Sequence, residues 1–248
     1  MELAIISYNL TKNSLEYKES EDHIFRRVNL KIGYIDRFFI IGFPINCKPT
    51  NVILFFHGSR DLAWNLALSQ SNLNKDNIVI FCQACTENIV EPHLHPDYGY
   101  ISFGEIFWEI IYDTSNFKND LDYVKYIIDY LYEMDINNIY AIGHSNGGVF
   151  VCLLAVYFPN VFVKLVSHQG GIGYDIRFKI PFELLDQTSK LTPILFYTGS
   201  LDIHKIVCEQ AHMIFTNEGF KSELYIEPDL SHEYKSSCET YIINWLME

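Results

Sequence analysis

The chain has 248 residues, of which 49% are hydrophobic and 15% aromatic, so it can bury a sizeable core and is not intrinsically disordered. Its formal net charge is −13, and no cluster of lysine and arginine offsets that charge. DNA or RNA would be repelled by such a surface, which excludes nucleic acid as an expected partner.

The first residues, the length of the apolar runs and the cysteines predict where the protein resides. Residues 1–9 are too short and too lightly charged for a secretory signal, and no apolar run approaches the roughly 18 residues of a membrane span. The six cysteines are scattered, which predicts free thiols in a reducing compartment. Cys82 and Cys85 form a CxxC without a second ligand pair, so we expect structural thiols and no metal site. A cytoplasmic protein without a membrane span is expected.

The first part of the chain predicts β structure, with strands at 3–8, 23–32 and 37–43 that are rich in β-branched and aromatic residues. From residue 52 onward, short apolar runs alternate with helical periodicity. The predicted strands there are 52–56, 78–82, 138–142, 161–167, 194–197 and 224–226. The predicted helices are 62–70, 120–132, 149–157, 205–215 and 238–247.

This alternation predicts an α/β fold in which a mostly parallel central sheet has helices on both faces. The sequence contains no repeat, low-complexity tract or flexible linker. We therefore predict a single domain over residues 1–248. Only about twenty-five residues separate Ser167 from Pro193, so no large lid domain is expected between those strands.

The segment GHSNGG follows the predicted strand 138–142 and opens a helix. This is a G-x-S-x-G motif between a strand and a helix, the setting in which such a serine acts as a nucleophile. A sharp, strained turn would push the Ser145 hydroxyl clear of the sheet, and Gly143 and Gly147 would relieve crowding on either side of it. The alternative is a glycine-rich turn without chemistry. His144 is predicted to be a packing residue.

On these residues the chain resembles the α/β-hydrolase superfamily, in which the nucleophile is followed in sequence by an acid and then by a histidine. Thr198-Gly199-Ser200-Leu201-Asp202 follows a late strand and resembles the G-x-x-D turn that carries the family's acid. The resemblance makes Asp202 the acid that orients the histidine. Asp202 is also a candidate N-cap of the next helix. Asp175, Asp186 and Asp229 are weaker candidates because none directly follows a strand of this kind.

Nine histidines compete for the role of general base. His232 lies in a polar loop between the last strand and the closing helix, where members of the superfamily present their catalytic histidine. His204 and His212 are weaker candidates, the first beside the acid turn and the second within a predicted helix. The resemblance therefore implies a Ser145–Asp202–His232 triad.

The sequence Phe55-Phe56-His57-Gly58-Ser59 ends an early strand with an HG turn, which in the superfamily supplies half of the oxyanion hole. By this resemblance the backbone N–H groups of Ser59 and Asn146 would hold the developing negative charge. His57 is predicted to be a structural histidine that ties this loop together.

The block 120–160 is similar to small esterases grouped with polyhydroxybutyrate depolymerases and feruloyl esterases, in which an S-N-G-G element and a downstream proline recur. The HG turn departs from that branch, since Arg60 and Asp61 stand where small residues are usual. The irregular segment 85–117 contains aromatic residues that either wall an acyl or aryl pocket or hold down a surface loop. These residues are Tyr98, Tyr100, Phe103, Phe107, Trp108 and Tyr112.

The expected activity is therefore hydrolysis of a small carboxylic ester through an acyl-enzyme, with no cofactor and no metal. Two alternatives remain open at this stage. One is a thioesterase or serine peptidase on the same fold, and the other is a binding protein that retains the fold without catalysis. The sequence does not determine the oligomeric state.

Overall fold

The computed structural model describes most of the chain and centres on one large β-sheet. It describes residues 17–19, 22–59, 61, 63, 76–84, 93–95, 99–101, 107–110, 115–136, 138–172, 180–185 and 191–248. The strands of the main sheet are β1 (Tyr17–Glu19), β2 (His23–Ile32), β3 (Ile35–Pro44), β4 (Asn51–Phe56), β5 (Ile78–Cys82), β8 (Asn138–His144), β9 (Phe162–His168), β10 (Ile194–Gly199) and β11 (Ser222–Glu227). Two short strands, β6 (His93–His95) and β7 (Gly99–Ile101), pair separately.

The sheet has the order β1-β2-β3-β5-β4-β8-β9-β10-β11. Strands β5, β4, β8, β9, β10 and β11 are mutually parallel, whereas β1, β2 and β3 are joined to one another and to β5 by antiparallel pairing. In such an arrangement the carboxyl ends of the parallel strands lie at one edge, and the loops that follow them meet there.

Four helices are described, together with a 3₁₀ turn at Phe182–Leu184. They are α1 (Ser115–Glu133), α2 (Asn146–Tyr157), α3 (Lys205–Asn217) and α4 (Ser236–Met247). Helices α1, α2 and α3 contribute to one hydrophobic cluster and α4 to a second. Along β4, Leu54 and Phe56 belong to the first cluster while Ile53 and Phe55 belong to the second. Since successive strand residues point to opposite faces, both faces of the sheet are covered.

The predicted fold class, a mostly parallel sheet with helices on both faces, is confirmed. Strand β5 has the predicted bounds, but α1 begins five residues before the predicted start, since Phe117 is buried in the first cluster. The predicted strand 3–8 and most of the predicted helix 62–70 lie outside the described residues. The single domain over 1–248 stays a prediction.

Five cysteines are free thiols, namely Cys47, Cys82, Cys152, Cys208 and Cys238, and Cys85 lies outside the described residues. Burial raises the pKa of the Cys152 thiol to about 12, so this group is uncharged at neutral pH. Within the described ranges, no helix combines the length and apolar character needed to cross a membrane.

A buried ion pair joins strand β3 to helix α1. Arg37 Nη1 donates to Asp120 Oδ1 at 2.8 Å, and both side chains are almost completely inaccessible to solvent. The other carboxylate oxygen accepts the backbone N–H of Glu109 at 3.0 Å, and Arg37 Nη2 donates to the carbonyl of Gln83 at 3.0 Å. One ion pair thus anchors the loop at 107–110 and the end of β5.

Replacing Asp120 by Asn should lower the free energy of unfolding by about 3 kcal/mol or more, since the buried Arg37 charge loses its counterion. Urea unfolding followed by circular dichroism measures the change. The control is Asp129→Asn on the same helix, where the exposed pair with Lys125 should contribute less than about 0.5 kcal/mol. Equal effects of the two substitutions would show that the buried pair contributes no more to the free energy of unfolding than the exposed pair.

Candidate active site

Ser145 lies on a sharp turn between the end of β8 and the start of α2. Its backbone has φ 53° and ψ −118°, in the left-handed half of conformational space that a residue with a side chain rarely adopts. The turn is held on both sides, because Ser145 N–H donates to the carbonyl of His168 at 2.9 Å and Val149 N–H donates to the carbonyl of Ser145 at 3.1 Å. The strained backbone is therefore fixed by neighbouring elements.

Gly143 and Gly147 are required by close backbone contacts at this turn. A Cβ on Gly143 would lie 2.0 Å from the carbonyl oxygen of Gly147, and a Cβ on Gly147 would lie 2.1 Å from that of Phe56. Neither contact can be relieved by moving a flexible side chain. The first turn of α2 thus packs directly on the end of β4.

Asp202 lies in the turn that follows β10, and its carboxylate is fully buried. Oδ1 accepts the backbone N–H of His204 at 2.8 Å, and Oδ2 accepts the hydroxyl of Thr198 at 3.1 Å. Burial raises the pKa of Asp202, but hydrogen bonds from His232 and from the His204 N–H outweigh burial, so the pKa lies below its ordinary value. Asp202 is therefore ionised at neutral pH. The N-cap residue of α3 is His204, so Asp202 is not the cap.

The imidazole of His232 bridges Asp202 and Ser145. Its Nδ1 lies 3.0 Å from Asp202 Oδ1, and its Nε2 lies 3.0 Å from Ser145 Oγ. An ionised carboxylate can only accept hydrogen bonds, so Nδ1 carries the proton and the lone pair of Nε2 faces the serine hydroxyl. Three side chains separated by 57 and 30 residues in the sequence thus form one chain of hydrogen bonds.

The HG turn after β4 lies beside Ser145. A Cβ on Gly58 would be 3.3 Å from the Cβ of Ser145, which puts the backbone of Gly58 next to the Ser145 side chain. On the other side, Asn146 is the first residue of α2, where N–H groups have no acceptor within the helix. Ser59 directly follows the glycine that lies beside Ser145, and Asn146 directly follows Ser145 itself, so both N–H groups belong to backbone near the serine.

His57 is buried and fully engaged with the backbone around it. Its Nε2 accepts the N–H of Ala84 at 3.0 Å, so the ring proton is on Nδ1, which donates to the carbonyl of Gly58 at 2.7 Å. Burial lowers the pKa of His57 to about 4, which keeps the ring neutral. This histidine fixes the HG turn from behind and does not contact Ser145 through a hydrogen bond.

A second histidine, His144, lies against the His232 ring and is paired with a third, His168. His144 stacks on His232 with ring centroids 5.4 Å apart, and its Nδ1 lies 3.1 Å from Nδ1 of His168 at the end of β9. Burial and the nearby His232 lower the pKa of His144 to about 4. Because His144 is neutral, it places no positive charge against this face of the His232 ring. Sequence reasoning identified His144 as a packing residue but gave no signal for His168.

Trp108 does not wall a pocket, contrary to one of the two interpretations of the segment 85–117. Its side chain is fully buried in the first hydrophobic cluster, where Phe56 and Phe150 each lie with ring centroids 5.0 Å away. The Asn146 side chain makes two hydrogen bonds with the backbone of Trp108. Its Oδ1 accepts the Trp108 N–H at 2.6 Å, and its Nδ2 donates to the Trp108 carbonyl at 3.1 Å. Phe107 is partly exposed, while Tyr98, Phe103 and Tyr112 lie outside the described residues.

Two of the competing candidates, His212 and Asp229, do not enter this arrangement. His212 Nδ1 pairs with the hydroxyl of Ser222 at 2.8 Å, and Asp229 lies on an exposed turn. Asp175 and Asp186 lie outside the described residues. His204 contributes its backbone N–H to Asp202, and its ring contacts the edge of His232 with centroids 4.9 Å apart. Thr198, which the sequence did not single out, completes the shell around the carboxylate.

Comparison with known proteins agrees with this architecture. No family model matches the chain. The uncharacterized hydrolase R843 of Acanthamoeba polyphaga mimivirus is 28% identical over 243 residues, covering 86% of this chain and 76% of that protein. An S-formylglutathione hydrolase from Agrobacterium tumefaciens superposes with a TM-score of 0.67 and 13% identity over 94% of this chain and 96% of its own. A ferulic acid esterase superposes with a TM-score of 0.63 and 13% identity over 91% and 96%.

These likenesses, together with the strand order, identify the class: the chain has the α/β-hydrolase fold. The predicted resemblance to esterases of this fold is confirmed at the level of structure.

Replacing Asp202 by Asn should destabilise the protein in a manner that depends on pH. A carboxyl whose pKa is lowered by folding adds stability above its unfolded pKa of about 3.8, and that stability is lost as pH falls through the folded pKa. The stability difference between wild type and Asp202→Asn should therefore be larger at pH 5 than at pH 3, as measured by urea unfolding. Asp229→Asn, on an exposed turn, is the control. A difference that does not change between these pH values would contradict an ionised, hydrogen-bonded Asp202.

Proposed function

We propose that this protein is a serine hydrolase that cleaves a carboxylic ester through an acyl-enzyme, with Ser145 as nucleophile, His232 as general base and Asp202 as the orienting acid. The observation that carries the proposal is the His232 ring, which lies 3.0 Å from both Ser145 Oγ and Asp202 Oδ1. A nucleophile, a base and a third group that orients the base are the parts that acyl transfer requires.

In the first half of the reaction, Ser145 Oγ attacks the ester carbonyl carbon while His232 Nε2 takes the hydroxyl proton. The imidazolium that forms is stabilised by the ionised Asp202, which holds Nδ1–H. The carbonyl oxygen becomes an oxyanion and accepts hydrogen bonds from the N–H groups of Ser59 and Asn146. Collapse of this intermediate breaks the C–O bond, and the leaving alcohol takes the proton from His232.

In the second half, water attacks the acyl-serine and gives a proton to His232 Nε2. The same two N–H groups stabilise the second oxyanion. Collapse releases the carboxylic acid and returns the proton to Ser145 Oγ. Both halves depend on the same imidazole and the same backbone donors, so a change in either slows acylation and deacylation together.

The substrate class is a small-molecule ester, as the ferulic acid esterase among the structural neighbours suggests. A thioester is the second candidate, because another neighbour is named for S-formylglutathione, which is itself a thioester. Serine attack and oxyanion stabilisation serve both. A panel of p-nitrophenyl esters of graded acyl length, compared with the corresponding acyl-CoA thioesters, ranks the two classes by kcat/KM.

Replacing Ser145 by Ala should reduce kcat on p-nitrophenyl acetate by about 10⁶-fold and abolish labelling by a fluorophosphonate probe, because both need the hydroxyl. Ser237→Ala, an exposed serine on α4, is the matched control and should leave both unchanged. If wild type is neither labelled nor active on any ester or thioester in the panel, a binding protein that retains the fold replaces the hydrolase proposal.

The two stacked histidines should respond differently to the same substitution. His232→Gln should lower kcat by about 10⁶-fold because it removes the base. His144→Gln should lower kcat by no more than about tenfold, because the Nδ1 of His144 faces His168 and not the serine. Steady-state kinetics on p-nitrophenyl acetate measures both. If His144→Gln has the larger effect, the base is misassigned.

A further inference from the structure

Two side chains, those of Trp108 and Asn146, connect the two halves of the proposed oxyanion site. The indole N–H of Trp108 donates to the carbonyl of His57 at 3.1 Å, in the turn that carries the Ser59 donor. The backbone of Trp108 is bound at both its N–H and its carbonyl by the side-chain amide of Asn146, whose own N–H is the other donor. We propose that Trp108 and the Asn146 side chain form a clamp that sets the spacing of the two oxyanion donors. This inference rests on the proposed function.

The clamp is rigid because it is buried and packed against both elements that it joins. The Trp108 side chain is 0% exposed and Asn146 is 7% exposed. The indole stacks on Phe150 of α2 at an interplanar angle of 18° and meets the edge of Phe56, the last residue of β4. Rotation of the indole would require both rings to move, so the N–H cannot leave the His57 carbonyl without repacking the core.

The clamp is also supported from behind by the ion pair of Arg37 and Asp120. The Asp120 carboxylate holds the N–H of Glu109, the residue after Trp108. Arg37 holds the carbonyl of Gln83, and the Gln83 side chain contacts His57 Nε2 at 3.1 Å. The loop at 107–110 and the HG turn are therefore fixed to the same buried charges, one through Glu109 and the other through Gln83.

The chemistry of Asn146 fits this role and no smaller side chain reproduces it. Its amide offers an acceptor to the Trp108 N–H and a donor to the Trp108 carbonyl at the same time. Alanine offers neither group. Asn146 thus has two separate roles, since its backbone N–H contacts the oxyanion whereas its side chain is a positioning group. Trp108 is a positioning residue that touches no substrate.

The test combines Asn146→Ala, Trp108→Phe and the double variant. Rates of acylation and deacylation are measured in pre-steady-state reactions with p-nitrophenyl acetate, per active site titrated with a fluorophosphonate. Each single variant should lower both rates about 10- to 100-fold, because both steps pass through an oxyanion. The double variant should be no more than about threefold slower than the slower single variant, because both substitutions open the same clamp.

A second measurement separates loss of the clamp from general loss of structure. Phenylboronic acid forms a tetrahedral adduct with the serine and occupies the oxyanion site, so its inhibition constant should rise in Asn146→Ala in proportion to the fall in acylation rate. Matched controls are Asn138→Ala at the far end of β8, where the amide donates to Asn51, and Trp245→Phe on α4. Both controls should retain wild-type rates per titrated site.

The proposal is overturned if the effects of the two single variants multiply, or if the variants lose titratable sites while the remaining sites keep wild-type rates. Should Trp108→Phe fail to fold, an unchanged boronic acid affinity in Asn146→Ala overturns it by itself. Failure of the hydrolase proposal is distinguishable, because wild type would then be neither labelled nor active, or Ser145→Ala would leave the measured activity intact. If Asn146→Ala has wild-type rates while Ser145→Ala is inactive, the clamp is rejected and the hydrolase proposal stands.

Discussion

The hydrogen-bonded arrangement of Ser145, His232 and Asp202 depends on the left-handed backbone conformation of Ser145. A residue with a side chain in such a conformation costs of order 1–3 kcal/mol and persists only when its surroundings hold it. Here the surroundings are the carbonyl of His168, which binds the Ser145 N–H, and the contact of Gly143 with Gly147 across the turn. From this turn the Ser145 hydroxyl reaches His232 Nε2 at 3.0 Å, and the first N–H groups of α2 follow directly in the chain.

The parallel part of the sheet brings the remaining groups to that hydroxyl. Strands β4, β8, β9 and β10 run in the same direction, so the HG turn, Ser145, His168 and the acid turn all leave the sheet at one edge. The loop after β11 then needs only to cross one strand for His232 to lie between Asp202 and Ser145. Loops of this kind can change their side chains while the sheet keeps their starting points fixed.

The site contains one charged carboxylate, that of Asp202, and several histidine rings that burial keeps neutral. Asp202 is buried yet ionised, since three hydrogen bonds compensate for its loss of water. Burial holds the pKa of His168 well below its usual range, and His57 and His144 are likewise kept neutral. The His232 ring is partly exposed, and it is the ring that the buried Asp202 carboxylate faces. An imidazolium formed there meets a negative charge on one side and an uncharged ring on the other.

The sequence by itself determined the features that are local or periodic. The continuous apolar run of β5 marks both of its ends, and the glycines around Ser145 announce a turn that only small residues permit. Order along the chain and resemblance were enough to select Asp202 and His232 for the positions they occupy.

The role of Trp108 was different, because an aromatic residue in an irregular segment has the same pattern whether it lines a pocket or fills a core. Only the packing of Phe56 and Phe150 around its ring, and the long-range bonds to His57 and Asn146, decided that it is buried. Contacts between residues that are distant in sequence produce no periodic pattern in the sequence. Only the tertiary structure therefore decided which buried side chains support the HG turn and the backbone around Ser145.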